Sequence, residues 1–314
     1  MSNTALNPST VVRPDHWSHM DPTGEVYLAD PSEVEAAIRR ILDHLYGGAY
    51  DSALLSRAIE DLVHAYRGEY PGLLRCDTLY HDLRHALETG LTSARLLDGH
   101  ARSLAAGNTG EAIDAEHALL TVLLALFHDI GLQRRDSEAH LWGPVLIPVH
   151  EERGVEFMES YLAGTSLDAL AKKSFLIMPT KLIYHIPDSW SGFDRTLGGI
   201  IASSDLLSQM ADRCYLEKCR DFLFVEFSAI GIAGKADTPY PDRETLLSKT
   251  PEFFAMLIQQ RLEKEFRGVY RLVELHTGGN NPWLENIQRN IDYLKEILSS
   301  KDFSRLQRRP KTLI

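Results

Sequence analysis

The chain is poor in cysteine, in basic residues and in strand-like alternation, and each shortage argues against a class of protein. Three cysteines, Cys76, Cys214 and Cys219, form no Cys-x-x-Cys pair and leave an odd count. That pattern argues against a disulfide framework or a cysteine-built zinc knot, and a reducing, cytoplasmic setting is the expectation. Lys+Arg number 33 against 44 Asp+Glu, for a formal charge of -11. A broad basic footprint for duplex nucleic acid is therefore missing, although a small anionic substrate stays open where a bound metal reverses the local sign. No stretch reaches the roughly 18 uninterrupted apolar residues that a membrane span needs. The opening MSNTALNPSTVV has neither a basic leader nor an apolar core of signal-peptide length, so no membrane partner is expected. Internal repeats and low-complexity tracts are also missing.

What is present is helical. With 314 residues, 44% hydrophobic and 25% charged, the chain has the composition of an ordinary folded protein and the length for a full core. Residues 1–29 hold Pro8, Pro14 and Pro22 without periodicity and read as an extended arm. Asp30, Pro31 and Glu33 then signal a helix start, with Gly47-Gly48 as its stop. A second helix is expected from Ser52 to Tyr66. Further helical patterns recur at about 80–98, 111–129, 149–163, 168–185, 196–217, 251–266 and 282–299. Only FLFVEFSAIGI (222–232) has a strand-like composition. The expected fold is all-α: a helical core over 30–235 and, after the loop ADTPYPDRE, a helical C-terminal extension over 236–314 packed on it. The basic end, SRLQRRPKTLI, reads as a solvated terminus.

The chemistry concentrates in a few histidines and aspartates. Residues 118–127 are apolar around the whole helical circumference and run into His128 and Asp129, which places this pair at the end of a buried helix. A buried imidazole beside a carboxylate must be hydrogen-bonded, paired or metal-bound. A pair locking two helices and a metal site both satisfy that demand. In YHDLRHALETG, His81 and His85 lie four apart on one helical face, opposite the stripe Leu83, Leu87, Gly90, Ala94 and Leu97. That face is either solvated or the lining of a cleft. His150 is a satisfied core residue or a ligand. His185 closes a helix two residues before Pro187, where it caps carbonyls or binds metal. Asp205 lies opposite the stripe of Ile200, Leu207, Met210 and Cys214, and so reads as part of a solvated face.

In order along the chain, His85, His128-Asp129 and Asp205 resemble the signature of the HD superfamily of metal-dependent phosphohydrolases. The segment YHDLRHA is similar to the first metal motif of its cyclic-nucleotide phosphodiesterase branch, with Asp82 in place of that branch's asparagine. His150 with Gly154, and His185, resemble the additional ligands of binuclear members such as the HD-GYP phosphodiesterases. The GYP signature is lacking, and Leu132 replaces a lysine. The resemblance covers about residues 75–220 and implies an HD-type helical bundle. It implies one ion held by His85, His128, Asp129 and Asp205, with Asp129 bridging to a second held by His150 and His185. Mixed imidazole and carboxylate donors suit iron, manganese, zinc or cobalt. His81 is implied as the general acid toward the leaving oxygen, with Asp129 central to catalysis. The implied substrate is a nucleotide or another small phosphoester, and Arg84, Arg134 or Arg135 could grip its phosphate. The same residue set also matches HD-type di-iron oxygenases. An acidic surface with a helical extension suits a non-catalytic nucleotide-binding module. A homo-oligomer is compatible with all three.

Overall fold

The computed structural model describes residues 16–310, 312 and 313. The fold is all-α, with eleven α-helices and no strands among the described residues. The helices are α1 (Pro31–Tyr46), α2 (Ser52–Arg67), α3 (Leu83–Ala105), α4 (Ala115–Leu126), α5 (His150–Leu162) and α6 (Gly192–Ala211). After them come α7 (Tyr215–Lys218), α8 (Phe224–Ala229), α9 (Arg243–Met256), α10 (Val273–His276) and α11 (Pro282–Ser300).

The helix ends follow the local chemistry. The Asp30 carboxylate accepts from Ser32 N at 2.9 Å, and Gly47 closes α1 in the left-handed region. The Glu33 carboxylate does not close a capping box on Asp30. It accepts from Tyr27 N instead, at 3.2 Å. The strand-like segment 222–232 is helical: α7 runs through a π-turn, Cys219–Leu223, into α8. β propensity yields there to burial of Cys219, Phe224 and Glu226 against neighbouring helices. The expected helix 168–185 is instead a run of 3-10 turns, Asp168–Thr180, followed by a loop. Pro179, which has no N–H to give, lies at the end of that run.

At the centre lies α3, packed against α1, α4, α6 and α10. Its residues from Leu83 to Gly99 are all buried, polar ones included. Burying so much polarity requires internal partners. Arg84 Nη1 meets Asp212 at 2.6 Å and Lys218 meets the same carboxylate at 2.8 Å, while Arg95 meets Asp21 at 2.6 Å. Farther along, the Asp98 carboxylate accepts from His276 at 2.7 Å. The apolar stripe predicted for α3 therefore covers one buried face, and the opposite face is buried as well. Helix α4 supplies the apolar wall, with every residue from Ala118 to Leu126 buried. The wider apolar stretch Ala115–Leu132 is 83% buried inside this core.

Two terminal expectations change. Residues 1–15 of the expected arm lie outside the described residues, but 16–29 are not extended. His16–His19 form a 3-10 turn, and Asp21 ties down a tight loop by accepting from Glu25 N and Val26 N. The tail is not simply solvated either. Leu306 is buried, and Leu313 exchanges bonds with the start of α3: its N donates to Asp82 Oδ2 at 3.1 Å and its O accepts from Leu83 N at 3.0 Å. Over 236–314, Phe254, Leu262, Trp283 and Leu294 bury their side chains in the same hydrophobic cluster as α3, α4 and α6.

Candidate metal centre

Helix α4 ends at Leu126, and its apolar body drives the following turn, with His128 and Asp129, into the interior. Helix α3 enters from the other side. Asp82 caps it by accepting from His85 N at 3.0 Å, which fixes the first turn that carries the His85 imidazole. His81 precedes this cap. It therefore does not share a helical face with His85, a correction to the four-residue spacing argument, because the helix begins only at Leu83. Helix α6 brings Asp205, which is buried rather than solvated, since α6 packs that face directly on α3.

Four side chains converge. His85 Nε2 lies 3.2 Å from His128 Nε2, 3.0 Å from Asp205 Oδ1 and 3.6 Å from Asp129 Oδ2. His128 Nε2 lies 3.1 Å from Asp129 Oδ2 and 3.4 Å from Asp205 Oδ1. His85, His128 and Asp129 form a buried group that can hold a metal ion. The tautomers support that capacity. His128 Nδ1 donates to Ala125 O at 2.9 Å, which turns the ring's other nitrogen, Nε2, with its lone pair toward the carboxylates. Asp129 Oδ2 is buried without a hydrogen bond of acceptable geometry. Lone pairs and carboxylate oxygens facing one another in a dry interior require a cation, either a proton or a metal. Accordingly, although burial disfavours charge, Asp129 and then Asp205 hold the His128 imidazolium well above the ordinary histidine range. Asp129 and Asp205 are in turn held below the usual carboxylate range: burial opposes this, but the neighbouring imidazoles outweigh it.

His150 opens α5 and directs Nε2 to 3.4 Å from Asp129 Oδ1, while its Nδ1 donates to Ile147 O at 2.7 Å. Asp129 is thereby two-handed, with one oxygen toward His85 and His128 and the other toward His150. His185 does not join them. Its side chain is 91% exposed in the loop after the 3-10 run, 3.8 Å from Glu265. The loop that follows Thr180 carries it to the surface. The proposed phosphate-gripping arginines are also engaged elsewhere: Arg84 with Asp212, Arg134 with Asp77, Arg135 with Glu156.

Two residues, Glu226 and Gln209, escaped the sequence reading. Glu226 Oε2 lies 2.7 Å from His81 Nδ1, and its other oxygen accepts from Tyr80 N at 2.7 Å. Burial alone would depress the His81 pKa, but Glu226, then Asp129, raise it to about 9. Gln209 donates to Asp205 and accepts from the Tyr80 hydroxyl, so it orients the aspartate. The one available signal for Glu226 was a lone acid within an apolar run.

The His150 position also depends on close backbone approach. A Cβ on Gly131 would stand 1.9 Å from His150 O. Gly131→Ala should therefore push α5 away and destabilise the fold by roughly 1–3 kcal/mol, read as a lowered Tm. An unchanged Tm would contradict this packing.

Comparison with protein-family models, with curated proteins and with solved structures finds no match.

Proposed function

We propose that the protein is a metal-dependent phosphohydrolase of the HD type, acting on a small phosphoester or phosphodiester. The observation that carries this reading is one arrangement: four metal-competent side chains beside a histidine whose Nδ1 lies 2.7 Å from a buried glutamate. The donor set of His85, His128, Asp129 and Asp205 fits one iron, manganese, zinc or cobalt ion. His150 fits as a further donor beside Asp129 Oδ1, and the surface position of His185 argues against the two-ion set that includes it. When bound, such an ion supplies an acidified water and neutralises phosphoryl charge.

The chain's own groups do the rest. Glu226 accepts from His81 Nδ1 and fixes that ring, leaving Nε2 to hand a proton to the departing oxygen. The carbonyls of Ala125 and Ile147 lock the His128 and His150 tautomers. Gln209 steadies Asp205, and the buried wall of α4 keeps bulk water out. The oxygenase alternative drew on four histidines and two aspartates, and with His185 on the surface that set is incomplete.

The test is to strip the protein with chelator and reload it singly with manganese, iron, zinc or cobalt. Release of nitrophenol from nitrophenyl phosphate and bis(nitrophenyl) phosphate is then followed beside oxygen uptake. Metal-dependent nitrophenol release is the expected result. Oxygen consumption with iron and no release under any metal would overturn the proposal.

A further inference from the structure

A second constellation lies on the other flank of α3. A cavity of about 490 Å³ opens between the Met20–Gly24 turn, the end of α6, α11 and the returning tail. Its wall carries Arg84, Arg213, Arg289 and Arg308, together with Asn286 and Asn290. In a chain of formal charge -11, Arg213, Arg289 and Arg308, beside an Arg84 already paired with Asp212, form a local excess of positive charge that attracts anions.

The acids on that wall do not cancel it. Asp21 is spent on Arg95 at 2.6 Å, and Asp212 on Arg84 at 2.6 Å and Lys218 at 2.8 Å. The third acid, Glu88, is 1% exposed, and neither of its carboxyl oxygens has a hydrogen-bond partner. Burial pushes its pKa up to about 8, against the pull of Arg84 3.3 Å away. Arg84 Nε is likewise buried without an acceptor. At the mouth, Arg213 is exposed, and the Arg308 guanidinium donates to its carbonyl. Arg289 donates to Asn286 Oδ1 at 2.7 Å and pairs with Glu285 at 3.1 Å, both on the exposed face of α11, and exposed interactions of this kind are weak enough to exchange for a better anion.

We propose that this cavity binds an organic polyphosphate of nucleotide size. The volume falls in the range of small-molecule sites, roughly 300–1,000 Å³. Guanidinium forks match phosphate oxygens two at a time, and the amides and hydroxyls of Asn286 and Thr23 suit the polar remainder. The site is distinct from the metal centre but adjoins it. Arg84 and Asp212 also line, together with His85, a second and much smaller cleft.

The test is calorimetric titration of the metal-free full chain with adenosine triphosphate, inorganic tripolyphosphate and adenosine, at a salt concentration near 150 mM. The two polyphosphates should bind and adenosine should not. Arg213→Glu and Arg308→Glu should each weaken binding about tenfold or more. Asp129→Asn should leave it within about twofold, which separates this site from the phosphohydrolase reading whatever becomes of that reading. Far-UV dichroism checks that each variant is folded, and Arg289→Glu provides a third position on the same wall. Failure of both polyphosphates to bind would overturn the proposal. So would binding that survives all three arginine variants, or binding that vanishes in Asp129→Asn.

Discussion

Asp129→Ala protein should purify without transition metal and should lose turnover by a factor of at least about 10³, while retaining its helical dichroism. The expectation follows from the two-handed carboxylate. One oxygen stands 3.1 Å from His128 Nε2 and the other 3.4 Å from His150 Nε2. Removing it leaves imidazoles facing one another with a single remaining anion, Asp205. His128→Ala should behave in the same way. Metal also reports on stability, because a ligand bound only by the native state stabilises it by about 4 kcal/mol at a thousand times its dissociation constant. Chelator should therefore lower the Tm of the wild-type protein and leave that of Asp129→Ala unchanged. A variant with full metal content would show that the ligand assignment is wrong.

His81→Ala should retain metal and lose rate by about 10²- to 10⁴-fold. The partner variant Glu226→Gln separates proton delivery from simple packing. His81 must be protonated to act, so the rate should fall as pH rises through its pKa. Burial pulls that pKa down, but Glu226 and then Asp129 outweigh it and place it at about 9. A dication on Asp129 takes away part of that carboxylate's pull, so in the loaded protein the alkaline limb should lie below that value. Glu226→Gln removes the largest raising influence and should move the limb further toward neutral pH. The rate should then fall more at pH 8 than at pH 6. Stability follows the same linkage. A histidine whose folded pKa is raised contributes in full below its unfolded pKa of about 6.5, and loses that contribution as pH rises through the folded value. Glu226→Gln should accordingly cost more stability at pH 6 than at pH 10. A pH profile unmoved by Glu226→Gln would leave the pair a structural one.

The particular residues show what could be read without coordinates. His128 and Asp129 were legible because α4 is apolar on every side, so whatever ends it must be buried too. His85 and Asp205 were ambiguous for the opposite reason. Each lies on the polar face of an amphipathic helix, and periodicity assigns such a face to solvent. In this fold α3 and α6 turn those faces toward each other, and the cost is met by ion pairs such as Arg84 with Asp212 and by the site itself. His185 was misplaced because a histidine before Pro187 looks like a helix end, whereas the helical turns stop at Thr180 and His185 stands in the loop beyond. Glu226 was hidden in a run that resembles a strand, and its role depends on a contact across 145 residues with His81. The tail's return to Asp82 left no local signal at all.

Elemental analysis of the purified chain beside Asp129→Ala and His185→Ala tests the central claim most directly. Incubated with manganese or iron and desalted, the wild-type protein and His185→Ala should each carry about one transition-metal ion per chain, and Asp129→Ala none. No stoichiometric metal in the wild-type protein, or metal retained by Asp129→Ala, would contradict the account.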